Sequence, residues 1–93
     1  MNLRQFAQDK ACQVRAFGTC NSDASTTVLA HIRRRNPGMG RKPNDLVAVH
    51  ACSACHDLID GRSKSEVYDK SEIDGLILDA LCATLEVIKG ELR

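Results

Sequence analysis

No apolar run in this sequence approaches the twenty or so residues that cross a bilayer, which leaves a transmembrane role without support. The start, Met1-Asn2-Leu3-Arg4-Gln5, has no long apolar segment with a cleavage site, so the cytoplasm is the expected location and no membrane partner is expected. Internal repeats and low-complexity segments are absent as well, which excludes solenoids and biased tails. There are only two prolines, and both fall in Asn36-Pro37-Gly38-Met39-Gly40-Arg41-Lys42-Pro43, the one stretch that must break regular structure. Five cysteines are an odd number, and a reducing compartment disfavours disulfides, so a disulfide framework is a poor account of them. With 93 residues the chain is read as one domain, 1–93, whose small core invites a metal staple.

The richest stretch runs Leu46-Val47-Ala48-Val49-His50-Ala51-Cys52-Ser53-Ala54-Cys55-His56-Asp57-Leu58-Ile59-Asp60. Its apolar, β-branched beginning reads as a strand over Leu46 to His50, and Cys52 to Asp60, free of Gly and Pro, reads as two helical turns. Cys52 and Cys55 then lie three apart on one face, where two sulfurs can converge on one ion. His56 points about 100° away and can serve a different site.

Upstream, Asn2 and Gln5 resemble a capping box and suggest a helix over residues 3–11. Cys12 and Cys20 are separated by seven residues that include Gly18, a thiol-bearing loop able to fold back on itself. Thr26 to Arg33 has strand composition and carries His31 near its end. Downstream, Ser71 with Asp74 predicts the start of the longest helix, 71–92. Ile73, Ile77, Leu81, Leu85, Ile88 and Leu92 form its stripe, with Cys82 within the pattern as a buried structural thiol. That stripe must cover the sheet or a second copy of the chain, giving a homodimer through the C-terminal helix.

Cys12, Cys20, Cys52 and Cys55 can satisfy tetrahedral zinc in a closed structural site. Reduced core cysteines without metal are the alternative, and a redox Cys-x-x-Cys lacks thioredoxin-like surroundings. The net charge of +1 hides an asymmetry, because residues 1–50 carry eight Lys/Arg against three Asp/Glu and residues 51–93 five against nine. Arg33, Arg34, Arg35, Arg41 and Lys42 make a basic loop suited to a phosphate backbone, or simply a solvated loop. If the strands pair and the helix packs across them, His31 and His56 can face one cleft. One imidazole would deprotonate water there, and the other would hold a divalent ion.

In order and spacing the chain resembles the HNH, or ββα-metal, endonucleases, through Leu29-Ala30-His31-Ile32 and Asp45-Leu46-Val47-Ala48-Val49-His50-Ala51-Cys52-Ser53-Ala54-Cys55-His56. From Cys12-Gln13-Val14-Arg15 to Cys55-His56-Asp57 it is closer still to the short prophage-borne nucleases of the YbcO type. The resemblance implies an α+β fold: a zinc-stabilised ββα core over 3–60, an N-terminal helix and a longer C-terminal helix over 71–92. It implies DNA as substrate, His31 as general base, His56 as ligand of a catalytic Mg²⁺ or Mn²⁺, and structural zinc on the four cysteines. Two positions depart from the pattern. Ala30 replaces an acidic or histidine ligand, for which Asp60, one helical turn beyond His56, is a substitute, with a plain surface aspartate as the alternative. Asp45 replaces the middle Asn, to orient His31, bind metal or start a turn. His50 is assigned a structural role. These departures motivate a second reading, a zinc-stabilised DNA-binding or adaptor module without catalysis.

Overall fold

Residues 2–32 and 44–92 are described by the computed structural model, which contains, among them, three helices and a two-stranded sheet. Helix α1 (Leu3–Ala7) begins where Asn2 accepts the N–H groups of Arg4 and Gln5. It stops well short of residue 11 because Asp9 takes a left-handed φ of +62° that no helix continues through. A 3-10 turn, Ala24–Thr26, capped by Asp23, then removes Thr26 from the expected strand. Strand β1 is Val28–His31 and β2 is Ala48–Ala51, paired antiparallel with Leu29 opposite His50 and His31 opposite Ala48. Leu46 lies in the turn before β2, where Asn44 accepts the N–H of Leu46 on its side chain and that of Val47 on its carbonyl.

Helix α2 (Ser53–Ile59) has Cys52 as its N-cap and Asp60 as its C-cap, with Gly61 at φ +78° turning the chain away. Helix α3 (Lys70–Glu91) is capped two residues earlier than Ser71 would dictate. Asp69 and Glu72 close a reciprocal capping box, with Asp69 accepting the Glu72 N–H at 2.8 Å and Glu72 accepting the Asp69 N–H at 3.0 Å. Its fully buried line is Ala80, Thr84 and Ile88, whereas Leu85 and Leu92 are exposed. Cys82, expected in the core, is exposed for the same reason: the helix is rotated to turn Ala80, Thr84 and Ile88 inward, with Ile73 and Leu81 half-buried beside them.

That rotation follows from what α3 covers. The outer edge of β2 presents the His50 N–H and C=O, which would be costly if buried unpaired. Thr84 Oγ1 accepts the N–H at 3.0 Å, and the Gln13 N–H donates to the carbonyl at 2.8 Å. A small residue at 80 and a hydroxyl at 84 let the helix approach close enough to seal the edge. By strand alternation the sheet then has two covered faces. Ala30, Val49 and Ala51 pack with Cys12, Cys52, Cys55, Leu58 and Ala80, while Leu29 and Ala48 pack with Ala7 and Leu3 of α1.

Candidate functional site

The four cysteines come from two backbone turns that the sequence builds for them. In the first, Gly18 (φ +78°) lets the chain double back so that the Cys20 N–H reaches the Ala16 carbonyl at 2.8 Å. In the second, Cys52 is the N-cap of α2 and its sulfur accepts the Cys55 N–H at 3.4 Å. Asn21 fastens one turn to the other by donating to Ser53 Oγ and Thr26 Oγ1. The sulfurs of Cys12, Cys20, Cys52 and Cys55 all lie within 4.8 Å of one another. The Cys20–Cys52 separation is 3.8 Å, far longer than a disulfide. It matches the edge of about 3.8 Å that a tetrahedron with zinc–sulfur bonds of about 2.3 Å requires. The quartet is therefore a site able to hold a metal ion such as zinc.

The electrostatics of the quartet fit a dication. The neighbouring Cys55 thiol pulls the Cys12 thiol well below its ordinary value, while Cys12 and burial push the Cys55 thiol up. Burial, reinforced by the neighbouring sulfurs, pushes Cys20 up. Four thiolates cannot share so small a volume without positive charge between them. The chemistry of the donor set asks for a metal.

His31 ends β1 on the sheet face that α1 covers, and its Nε2 lies 2.7 Å from Asp45 Oδ1. The Asn44 turn delivers Asp45, so turn initiation belongs to Asn44 and Asp45 is left to meet the imidazole. The same Oδ1 receives Arg4 Nε at 3.4 Å from α1. The His31 contact, and then Arg4, hold the Asp45 carboxyl below the usual carboxylate range. An ionised Asp45 can only accept, so the proton of a neutral His31 sits on Nε2 and the lone pair on Nδ1.

His56 and Asp60 form the second pair, one helical turn apart on α2, with Nε2 and Oδ2 3.1 Å apart. That is a direct hydrogen-bond contact, and it is also close to the roughly 3.0 Å between neighbouring ligands of an octahedral ion with bonds of about 2.1 Å, so the two could stand as adjacent ligands of such an ion. Arg62 reaches across from the following turn, 3.4 Å from Asp60 and 3.6 Å from Asp57. Ala30, where the resemblance implies a further ligand, is fully buried against Val49 and Leu58.

The two imidazoles therefore occur in separate pairs. Among the described residues, the cysteine quartet is the group of three or more possible ligands that the structure gathers within reach of one ion. Arg33, Arg34, Arg35, Arg41 and Lys42 lie outside the described residues. Arg4 and Arg62 were not legible beforehand, because each acts on a carboxylate that only the tertiary fold, or the turn after α2, brings near. His50 is wholly buried beside Phe6, ring centroids 5.9 Å apart, and among the described residues neither ring nitrogen has a hydrogen-bond partner.

Fold and site together define a small α+β protein with a four-thiol cage able to hold a metal ion and two histidine–aspartate pairs outside it. The family described as "Putative nuclease YbcO" matches residues 1–90, and the chain belongs to that family. Proteins of that description from Escherichia coli (strain K12) and Enterobacteria phage 82 are each 54% identical to it over 63 residues, 67% of this chain. The match spans 66% of the length of each of these relatives. A solved structure titled "Structure of a putative bacteriophage protein from Escherichia coli str. K-12 substr. MG1655" is 38% identical. It superposes with a TM-score of 0.76 over 97% of this chain and all of that one. No described helix is long and apolar enough to cross a membrane.

Proposed function

We propose that the protein is a metal-dependent endonuclease that hydrolyses DNA phosphodiester bonds in phage or prophage DNA processing or recombination, built on a zinc-stabilised core of the HNH kind. The observation that carries this reading is the 2.7 Å contact between His31 Nε2 and Asp45 Oδ1, which leaves Nδ1 as the basic nitrogen. A water hydrogen-bonded to Nδ1 loses its proton to His31 as it attacks phosphorus, and Asp45 stabilises the imidazolium that results. His56 and Asp60 are the residues that would hold the divalent cation. When bound, that ion supplies charge stabilisation to the phosphorane and the leaving oxygen. Arg33, Arg34, Arg35, Arg41 and Lys42 grip the phosphate backbone, which positions the strand without reading its sequence and makes binding weaken steeply with salt. The description of the family and its phage-encoded relative support the same assignment.

The test is nicking of supercoiled and branched DNA by zinc-loaded protein with added Mg²⁺ or Mn²⁺. Wild type nicks, and His31→Ala retains zinc and DNA binding but loses at least about a hundredfold in rate, the usual scale for a removed general base. Equal rates would remove His31 from the chemistry. A second reading, a DNA-binding or adaptor module without catalysis, is favoured by one observation: Ala30 is sealed in the core where a further ligand would stand. The module binds DNA but shows no second, exchangeable ion, so Mn²⁺ titration of zinc-loaded protein separates the two readings.

A further inference from the structure

Helix α3 has two apolar lines, and only one of them is used. Ala80, Thr84 and Ile88 face the core, while about 100° round the helix Leu78 is 61% exposed, Leu85 41% and Leu92, at the C-cap, 64%. The three leucines recur every seven residues, and exposed Gly75, Cys82 and Lys89 alternate with them at steps of three and four. Such a row drifts only about 20° per repeat, so from Leu78 to Leu92 it forms a nearly straight strip about 21 Å long. Isolated exposed leucines are ordinary on a soluble surface, whereas an aligned row of this kind marks a contact surface.

We infer that this strip is the seam of an antiparallel homodimer, two copies of α3 packed about a two-fold axis beside Cys82. The occupant follows from the charges that bracket Leu78 and Leu85. Asp74 precedes Leu78 by four residues, and Lys89 follows Leu85 by four. An antiparallel register that sets Leu78 beside Leu85 of the second copy therefore sets Asp74 beside its Lys89, and two-fold symmetry repeats both contacts. Among the described residues neither Asp74 nor Lys89 has an ion-pair partner within the chain. A parallel pairing would face Asp74 with Asp74 and Lys89 with Lys89. It would also align the two helix dipoles instead of opposing them. Gly75 and Cys82, small side chains between the leucines, let the two backbones approach. The strip is about 21 Å by 10 Å, well below the roughly 800 Å² per partner of a standard interface, so the dimer is weak and assembles with concentration. This inference does not depend on the nuclease reading.

Sedimentation equilibrium of the zinc-loaded full chain, from about 5 to 500 µM, tests it. The expected result is a mass that climbs from monomer to dimer over this range, and a Leu85→Glu variant with unchanged zinc content that stays monomeric throughout. Asp74→Lys alone and Lys89→Asp alone each weaken association by about fivefold or more, and the double variant restores it. A wild-type chain that stays monomeric at the highest concentration overturns the dimer. Single charge variants that associate like wild type overturn the antiparallel register, and so does a double variant that fails to recover.

Discussion

Asp45→Asn probes the proposed base most finely, because Arg4 decides what the amide can do. Asparagine is nearly isosteric with aspartate, but one end of its side chain accepts and the other donates. With Arg4 Nε 3.4 Å from the Oδ1 position, the amide oxygen is the end that stays there. His31 then keeps its proton on Nε2 and its lone pair on Nδ1, and only the charge of the pair is lost. A hydrogen bond to a charged group contributes about 1.5–3 kcal/mol against about 0.5–1.5 for a neutral one, so the single variant should slow cleavage by about tenfold. Arg4→Ala alone should cost less than about fivefold, since the Arg4 side chain is 62% exposed and such pairs contribute little. Combined, the two changes free the amide to flip and donate to Nε2, which drives the proton to Nδ1 and removes the base. The double variant should therefore lose a further factor of about ten beyond the product of the singles. Single-turnover nicking with Mn²⁺ reads the rates, and nitrogen NMR of the His31 ring reads the tautomer without reference to activity. Additive losses with an unchanged tautomer in the double variant would refute this account of how Asp45 and Arg4 act.

Two further predictions concern the scaffold. Structural zinc contributes about 10–16 kcal/mol in small domains whose net stability is only about 5–15, so Cys52→Ala or a strong chelator should abolish the cooperative thermal transition. Cys82→Ser, at an exposed position, should keep one zinc per chain and the wild-type melting temperature. His50 is depressed below its ordinary value by burial first and by Lys10 second, so the native state binds its proton more weakly than the unfolded chain does. The stability contributed by the neutral ring is complete above about pH 6.5 and is lost as pH falls from there through the lowered native value. His50→Leu removes two buried ring nitrogens that have no hydrogen-bond partner among the described residues. In urea melts it should match or exceed wild type at pH 7.5, and its advantage should widen toward pH 5.5 by no more than about 1.4 kcal/mol per pH unit. Zinc loading is common to both proteins, so the pH dependence of the cage cancels in the difference.

What could be read in advance was whatever the sequence states locally. Cys52 and Cys55 announce a half-site through helical spacing alone, and Cys12 and Cys20 through a glycine turn, and the structure gathers all four. Boundaries failed where one residue's backbone overrode a pattern. Asp9 ended α1 early through a positive φ, and Asp69 displaced Ser71 as the α3 cap because Glu72 completes a reciprocal pair. The face of α3 was read correctly at Ile73, Leu81 and Ile88, which pack inward, and wrongly at Leu85 and Leu92, for another reason. Hydrophobicity selects the largest residues, so it chose Leu85 and Leu92, but a strand edge needs a small residue and a hydroxyl, and it chose Ala80 and Thr84. Arg4 escaped notice because its contact with Asp45 spans 41 positions and no local pattern marks it.

The two functional pairs hang from different supports. Cys52 is both a member of the cage and the N-cap of α2, and His56 follows one turn later, its N–H donating to the Cys52 carbonyl at 2.8 Å. Whatever fixes the sulfur of Cys52 therefore fixes the start of the helix that carries His56 and Asp60. His31 and Asp45 are held by strand pairing, the Asn44 turn and Arg4 of α1. Strand β2 is the element common to both, since its side chains pack against the cage on one face and against α1 on the other. Its outer edge is closed by Thr84 and Gln13. A change that loosens that edge thus disturbs both pairs together, whereas a change in the cage reaches the His56 pair first and the His31 pair only through the strand.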